Sequence, residues 1–283
     1  MKYQILLISL LLSICFSSCD NEAVEIPAFL EINSISFTTE PGQGTASSSI
    51  RYAFVFINED FIGGYELPIV LPVIAEGETD VLIRAGINAN GISETPDLYP
   101  AYTDYRTTIN FTPQETVTVE PEVVYKSNIR FAINEEFESA SHEFRFDLDQ
   151  NPDTNIEIDG DGAFEGRSAR ITLDGDTDAA IFGTDLIVDI PKNNTPVWLE
   201  VNYNTEVPII FGLNGVTITQ ETEAFAEYGI NTKTSWNKIY FDLTNIVNLT
   251  EFVGYQLFFG VSIAEGQEAE VLLDNIKIVY FEN

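Results

Sequence analysis

Histidine, cysteine and positive charge are scarce in this chain: one His, two Cys, and 13 Lys and Arg against 45 Asp and Glu in 283 residues. Both cysteines, Cys15 and Cys19, precede Asp20, so the remainder has neither a disulfide nor a thiol nucleophile. His142 is the lone imidazole, and neither a G-x-S-x-G elbow nor an H-E-x-x-H motif is present, which removes the usual hydrolytic and zinc constellations. A net charge of −32 repels nucleic-acid backbones and anionic lipid surfaces, so no nucleic-acid partner is expected. Phosphate-cradling loops are missing too, since Gly160, Gly162, Gly166 and Gly175 stand among acids. Glycoside hydrolysis by two carboxylates stays open, because it needs only Asp and Glu. Among so many acids, close pairs arise by chance, and a non-catalytic protein is expected.

What is present begins with "MKYQILLISLLLSICF" (1–16), one lysine followed by an apolar run too short to span a bilayer. Ser17 and Ser18 then precede Cys19, a pattern that resembles a bacterial lipobox. The resemblance implies a signal peptide over 1–18, lipidation of Cys19, and attachment to the outer membrane through acyl chains. An ordinary secreted protein with an incidental Cys19 is the alternative. Asp20, Glu22 and Glu25 follow at once and form an acidic tether over 19–27. They resemble the acidic stretch behind the lipidated cysteine in surface-exported lipoproteins of Bacteroidota, which implies a location facing the cell exterior.

The body of the chain reads as strands. "RYAFVFI" (51–57), "TDVLIRAGI" (79–87), "TTINFT" (107–112), "PVWLEVNY" (196–203), "KIYFDL" (238–243) and "YQLFFGVSI" (255–263) are short, β-branched and aromatic, and bounded by turn residues. No long window has the i, i+3, i+4 spacing of a stable helix; "ETEAFAEYG" (221–229) and "LTNIVNLTEF" (243–252) are the best candidates, each short enough to be one turn or a loop. With 45% hydrophobic residues the chain has a core despite its charge. The expected fold class is all-β, with two β-sandwich domains: a small one over 28–127, and a larger one over 128–283 after the Pro-rich, acidic segment near 120.

In the first half, "FVFINEDFIGGYELPIVLPVIAEGETDVLIRAG" (54–86) weakly resembles PEGA-like or transthyretin-like β domains, which implies a fold and no chemistry. "LYPAYTDY" (98–105) sets Tyr99, Tyr102 and Tyr105 in one loop. Exposed, they stack on sugars or fill a partner's pocket; buried, they lock the loop to the core.

In the second half, "EEFES" (135–139), "FEGRSARITLDGD" (164–176), "SWNKIYFDL" (235–243) and "EVLLDNIKIVYFE" (270–282) occur in the order found in galactose-binding-like jelly rolls, which serve as carbohydrate-binding modules. The resemblance implies a glycan-binding role and a structural Ca²⁺ between the first and last strands, with Glu138 and Asp274 at the matching positions. Hard cations take six to eight oxygens, which an acidic chain supplies; otherwise Glu138 is solvated and Asp274 caps a turn. The resemblance places Trp236 in the core and leaves Trp198, on a strand with two faces, as the tryptophan that touches ligand. "FDLDQNPDTNIEIDGDG" (146–162) lacks the alternate acids and closing Glu of an EF-hand. The expected partners are a glycan or, alternatively, an outer-membrane β-barrel complex on which the protein docks as an accessory subunit.

Overall fold

A computed structural model describes residues 25–92, 96–175, 177–248 and 252–282, the side chains of 223–227 excepted. Cys19 and the leader lie outside these residues. No helix among the described residues is long and apolar enough to cross a membrane.

The chain is all-β and forms two β-sandwiches. The first contains β1 (Ala28–Ile32), β2 (Ser36–Phe37), β3 (Tyr52–Ile57), β4 (Asp60–Glu66), β5 (Ile69–Val73), β6 (Gly77–Asn88), β7 (Pro96–Leu98), β8 (Tyr105–Phe111), β9 (Thr116–Val119) and β10 (Glu122–Val123). Strand β1 runs antiparallel to β5 and parallel to β9, β2 pairs with β10, and β3 lies between β4 and β6, which also carries β7 and β8. Alternation decides the faces: Ala53, Val55 and Ile57 enter the core while Tyr52, Phe54 and Phe56 remain partly exposed. Between β3 and β4 the chain turns on Asn58 and Glu59, at φ of 49° and 71°, a pair of left-handed residues that suits the twist of a two-residue hairpin.

The second sandwich contains β11 (Ile129–Glu135), β12 (Phe146–Asp147), β13 (Glu157–Asp159), β14 (Ser168–Leu173), β15 (Ala179–Gly183), β16 (Val197–Thr205), β17 (Ile209–Thr217), β18 (Thr222–Ile230), β19 (Lys233–Asp242), β20 (Phe252–Ser262) and β21 (Ala269–Phe281). One sheet has the order β13-β14-β21-β16-β19, with β11 also on β21, and the other has β12-β15-β20-β17-β18. Leu199, Val201 and Ile278 of the first sheet and Phe211, Leu257 and Phe259 of the second share one core. The two helix candidates resolve differently. Residues Thr222–Ile230 form a strand, because their alternation also fits a period of two and β17 offers an antiparallel partner. Thr244–Val247 is a single turn, α1.

The two sandwiches meet at a seam on the outer face of the sheet that contains β16. Inward, β16 gives Val197, Leu199, Val201 and Tyr203 to its own core; outward, it gives Trp198 to the core of the first sandwich, joined there by Tyr240 of β19 and Val279 of β21. A strand covered on both faces loses its polar alternation, which is why "PVWLEV" is nearly continuous in apolar residues.

Candidate functional site

The seam between the sandwiches is built around one carboxylate. Glu200, fully buried on β16, accepts hydrogen bonds from the hydroxyls of Tyr99 (2.5 Å) and Tyr125 (2.8 Å) and pairs with Lys238 Nζ at 2.5 Å. Burial pushes its carboxyl up, but Lys238, Lys277 and the hydrogen bonds outweigh this and hold it below the ordinary carboxylate range. Rings close the seam: Tyr99 meets Trp198 edge-on at 5.3 Å and Tyr240 at 4.9 Å, and the hydroxyls of Tyr102 and Tyr240 lie 3.3 Å apart. Lys277 Nζ donates to the carbonyls of Gln43 (2.7 Å) and Thr45 (3.1 Å).

This arrangement corrects the expectation for the ligand-contacting aromatics. Tyr99, Tyr102 and Trp198 are 3%, 2% and 4% exposed, because the first sandwich covers the outer face of the sheet that carries Trp198. Tyr105 is half-buried against the core of the first sandwich. None of the four lines a hollow large enough for a saccharide among the described cavities.

Where the covering ends, the seam opens into two adjoining hollows that share Ser49, Asn237 and Lys238. The smaller, about 450 Å³, is bounded by Trp236, Phe164, the serines 47–49 and Asn202. Trp236 is half-buried rather than core; its Nε1 donates to Gly162 O (2.9 Å) and its ring meets Phe164 edge-on at 5.6 Å. Asn202 is 1% exposed; its Nδ2 donates to Ser47 Oγ (2.7 Å) while its Oδ1 has no partner. The larger hollow, about 540 Å³, is lined by Arg51, Asn88, Asn90, Asn231 and Lys233. Hydrogen bonds hold its walls: Asn90 N donates to Tyr240 O (2.8 Å), and Asn237 Nδ2 donates to Tyr203 Oη (2.9 Å). Amides and hydroxyls beside a partly exposed indole can bind a molecule with both an apolar face and many hydroxyls. The sequence does carry a trace of this: Trp236 follows the polar run "NTKTS", which marks the wet start of a strand.

The segment at the start of β14 touches both Glu138 and Asp274. Arg167 N donates to Glu138 Oε1 (3.1 Å), and Ser168 Oγ donates to Asp274 Oδ2 (3.1 Å). Gly166, at φ +54°, is in a left-handed conformation that favours glycine, and a Cβ there would fall 2.1 Å from Glu138 Oε1 and push that carboxylate away. Burial, with Glu138 adding to it, pushes the Asp274 carboxyl up to about 7. Two carboxylates held by the adjacent residues Arg167 and Ser168 fit a hard cation that neutralises both. Among the described residues no third His, Cys, Asp or Glu joins them, so further ligands would be backbone or hydroxyl oxygens.

No family model and no curated protein matches the chain. Among solved structures it is similar to β-sandwich carbohydrate-binding modules examined for promiscuous specificity, at 13% identity over 81% of this chain and 85% of that one, with a TM-score of 0.37. It is similar also to the family 11 carbohydrate-binding module of Clostridium thermocellum in complex with a mixed-linked tetrasaccharide, at 13% identity over 52% and 95% of the two chains, TM-score 0.35. A third similarity is to the enzymatically active domain of bacteriophage CBA120 tailspike protein 4, at 12% identity and TM-score 0.36, covering 55% of this chain and only 20% of that one.

Proposed function

We propose that this protein is a non-catalytic, lipid-anchored glycan-binding protein whose ligand lies in the groove along the seam. One observation carries the proposal: Trp236 and Phe164 stand beside serines, Asn237 and the unpaired Oδ1 of Asn202, as a saccharide's apolar face and hydroxyls require. Acylated Cys19 and the acidic tether would hold this groove away from the outer membrane, on the cell exterior.

Affinity electrophoresis through polysaccharide gels tests the groove. Wild-type protein is expected to be retarded by at least one polysaccharide, and Trp236→Ala to weaken retention about tenfold or more, in line with the loss of one aromatic contact at a hot spot. Retardation unchanged in Trp236→Ala would remove this groove as the site, and no retardation on any gel would remove the glycan.

The proposal includes a structural Ca²⁺ held by Glu138 and Asp274. Added Ca²⁺ is expected to raise Tm and a chelator to lower it. The rise should be larger at pH 8 than at pH 5, because an Asp274 carboxyl with a pKa near 7 must lose its proton to bind the ion. Calorimetric scans with and without chelator at both pH values check this; identical scans would remove the ion.

A second reading, docking on an outer-membrane β-barrel complex, has one observation in its favour. Phe61, 57% exposed, stacks with Phe54 at 6.3 Å and tilts against Phe56 at 5.0 Å on the outer face of the first sandwich. A stoichiometric barrel protein recovered by mild-detergent pulldown from native membranes, and lost in Phe61→Asp, would favour it.

A further inference from the structure

Charge is distributed unevenly around the groove. In a chain with 45 acids, neither hollow of the seam has an Asp or Glu among its described lining residues. The larger one has three cations, Arg51, Lys233 and Lys238. Lys238 is neutralised by Glu200 and buried. Arg51 and Lys233 are exposed and have no ion pair or side-chain hydrogen bond. Every other Lys or Arg among the described residues engages a carboxylate or a carbonyl: Arg84 and Arg106 meet Asp104, Arg170 meets Asp159 and Glu270, and Lys126 donates to Pro100 O. The remainder do likewise. The two described cations left unengaged thus face the same cavity, in a protein where acids outnumber bases more than threefold.

Their backbones are anchored. Arg51 N donates to Gly86 O (2.9 Å) and its carbonyl accepts from Leu67 N (2.8 Å), while Lys233 pairs with Thr205 at the edge of the sheet. Asn88 lines the same hollow, and its Oδ1 is without a partner. A hollow that holds an amide, a planar guanidinium and an ammonium suits a sugar unit that offers a hydroxyl next to an anionic group.

Resting on the glycan reading above, we propose that the groove selects an acidic saccharide, its carboxylate or sulfate held by Arg51 and Lys233 and its ring by the Trp236 end. The negative charge of the whole molecule does not oppose this at physiological salt, where charges more than about 8 Å apart are largely screened. It does disfavour long polyanions, so the fitting probe is an oligosaccharide.

The test is a printed array of neutral, carboxylated and sulfated oligosaccharides, probed with wild type, Trp236→Ala and the Arg51→Ala/Lys233→Ala double variant. Hits are then titrated beside the methyl ester of any carboxylated hit, which keeps the ring and removes the charge. Wild type is expected to bind acidic members and to bind the ester at least tenfold more weakly. The double variant, whose substitutions are on exposed side chains and should leave Tm unchanged, should lose about tenfold per cation removed. Preference for the carboxylated or the sulfated arm names the anion, and either supports the proposal. Binding confined to neutral saccharides, or acidic binding undiminished in the double variant, overturns it while leaving the glycan reading intact. An array with no saccharide bound overturns both.

Discussion

Replacing Glu200 with alanine is expected to cost about 3–5 kcal/mol of stability, the range for breaking one side of a buried ion pair. The loss comes less from the missing attraction than from what stays behind. Lys238, 6% exposed, loses the carboxylate 2.5 Å away, and Tyr99 and Tyr125 lose the acceptor of their hydroxyls. Lys277, fully buried nearby, loses a charge that favours its protonated form. Because these groups come from both sandwiches, the damage is local to the seam, while each sandwich keeps its own core. Urea unfolding of the variant should therefore separate into two transitions where wild type shows one. The double variant Glu200→Met/Lys238→Met should recover part of the loss, the part due to a stranded Lys238, while Lys277 and the two tyrosine hydroxyls stay without Glu200. A single transition, with a midpoint shifted by less than the equivalent of about 1 kcal/mol, would show that the network does not hold the sandwiches together.

The same seam predicts a steep loss of stability in alkali. Tyr99, Tyr102, Tyr125 and Tyr240 all have hydroxyls pushed above the ordinary value of 10.0, chiefly by burial and further by the Glu200 charge. In the unfolded chain they ionise near 10, whereas in the fold they keep their protons. The stability tied to them is therefore complete below pH 10 and falls as pH rises beyond it. Each tyrosine held protonated contributes a slope of roughly 1.4 kcal/mol per pH unit, so four acting together give roughly 5–6 kcal/mol per unit. Lys277 acts in the opposite sense at lower pH: burial lowers its pKa from 10.5 to about 8, so stability rises modestly between those values. Circular dichroism melts from pH 8 to 11.5 should show a plateau or slight gain, then a collapse. Absorbance at 295 nm should show the seam tyrosines ionising together with that collapse. Smooth ionisation of every tyrosine around pH 10, ahead of unfolding, would contradict the buried seam.

Local pattern was enough for most strands. "RYAFVFI" matches Tyr52–Ile57, where period-two burial leaves a mark on every second residue, and "PVWLEVNY" overlaps Val197–Thr205, where a nearly continuous apolar run marks a strand covered on both faces. It was not enough for "ETEAFAEYG", whose short alternation suits either element until β17 supplies hydrogen bonds. Glu138 and Asp274 were legible as a pair only through motif order; that one loop holds both is a tertiary fact. Trp198 and Trp236 show where strand pattern stops. Each sits on a β-strand amid mixed neighbours, and nothing local says which one a second domain will cover.

The sequence by itself determined the β-sandwich class, the scarcity of catalytic side chains and the acidic surface, because these follow from composition and nearest-neighbour alternation. Tertiary structure alone decided that the Tyr99 loop and Trp198 are buried, and that Trp236, Arg51 and Lys233 border one groove. The physical reason is that solvent exposure of a strand's outer face depends on what packs against it, and the residues that pack here come from distant parts of the chain.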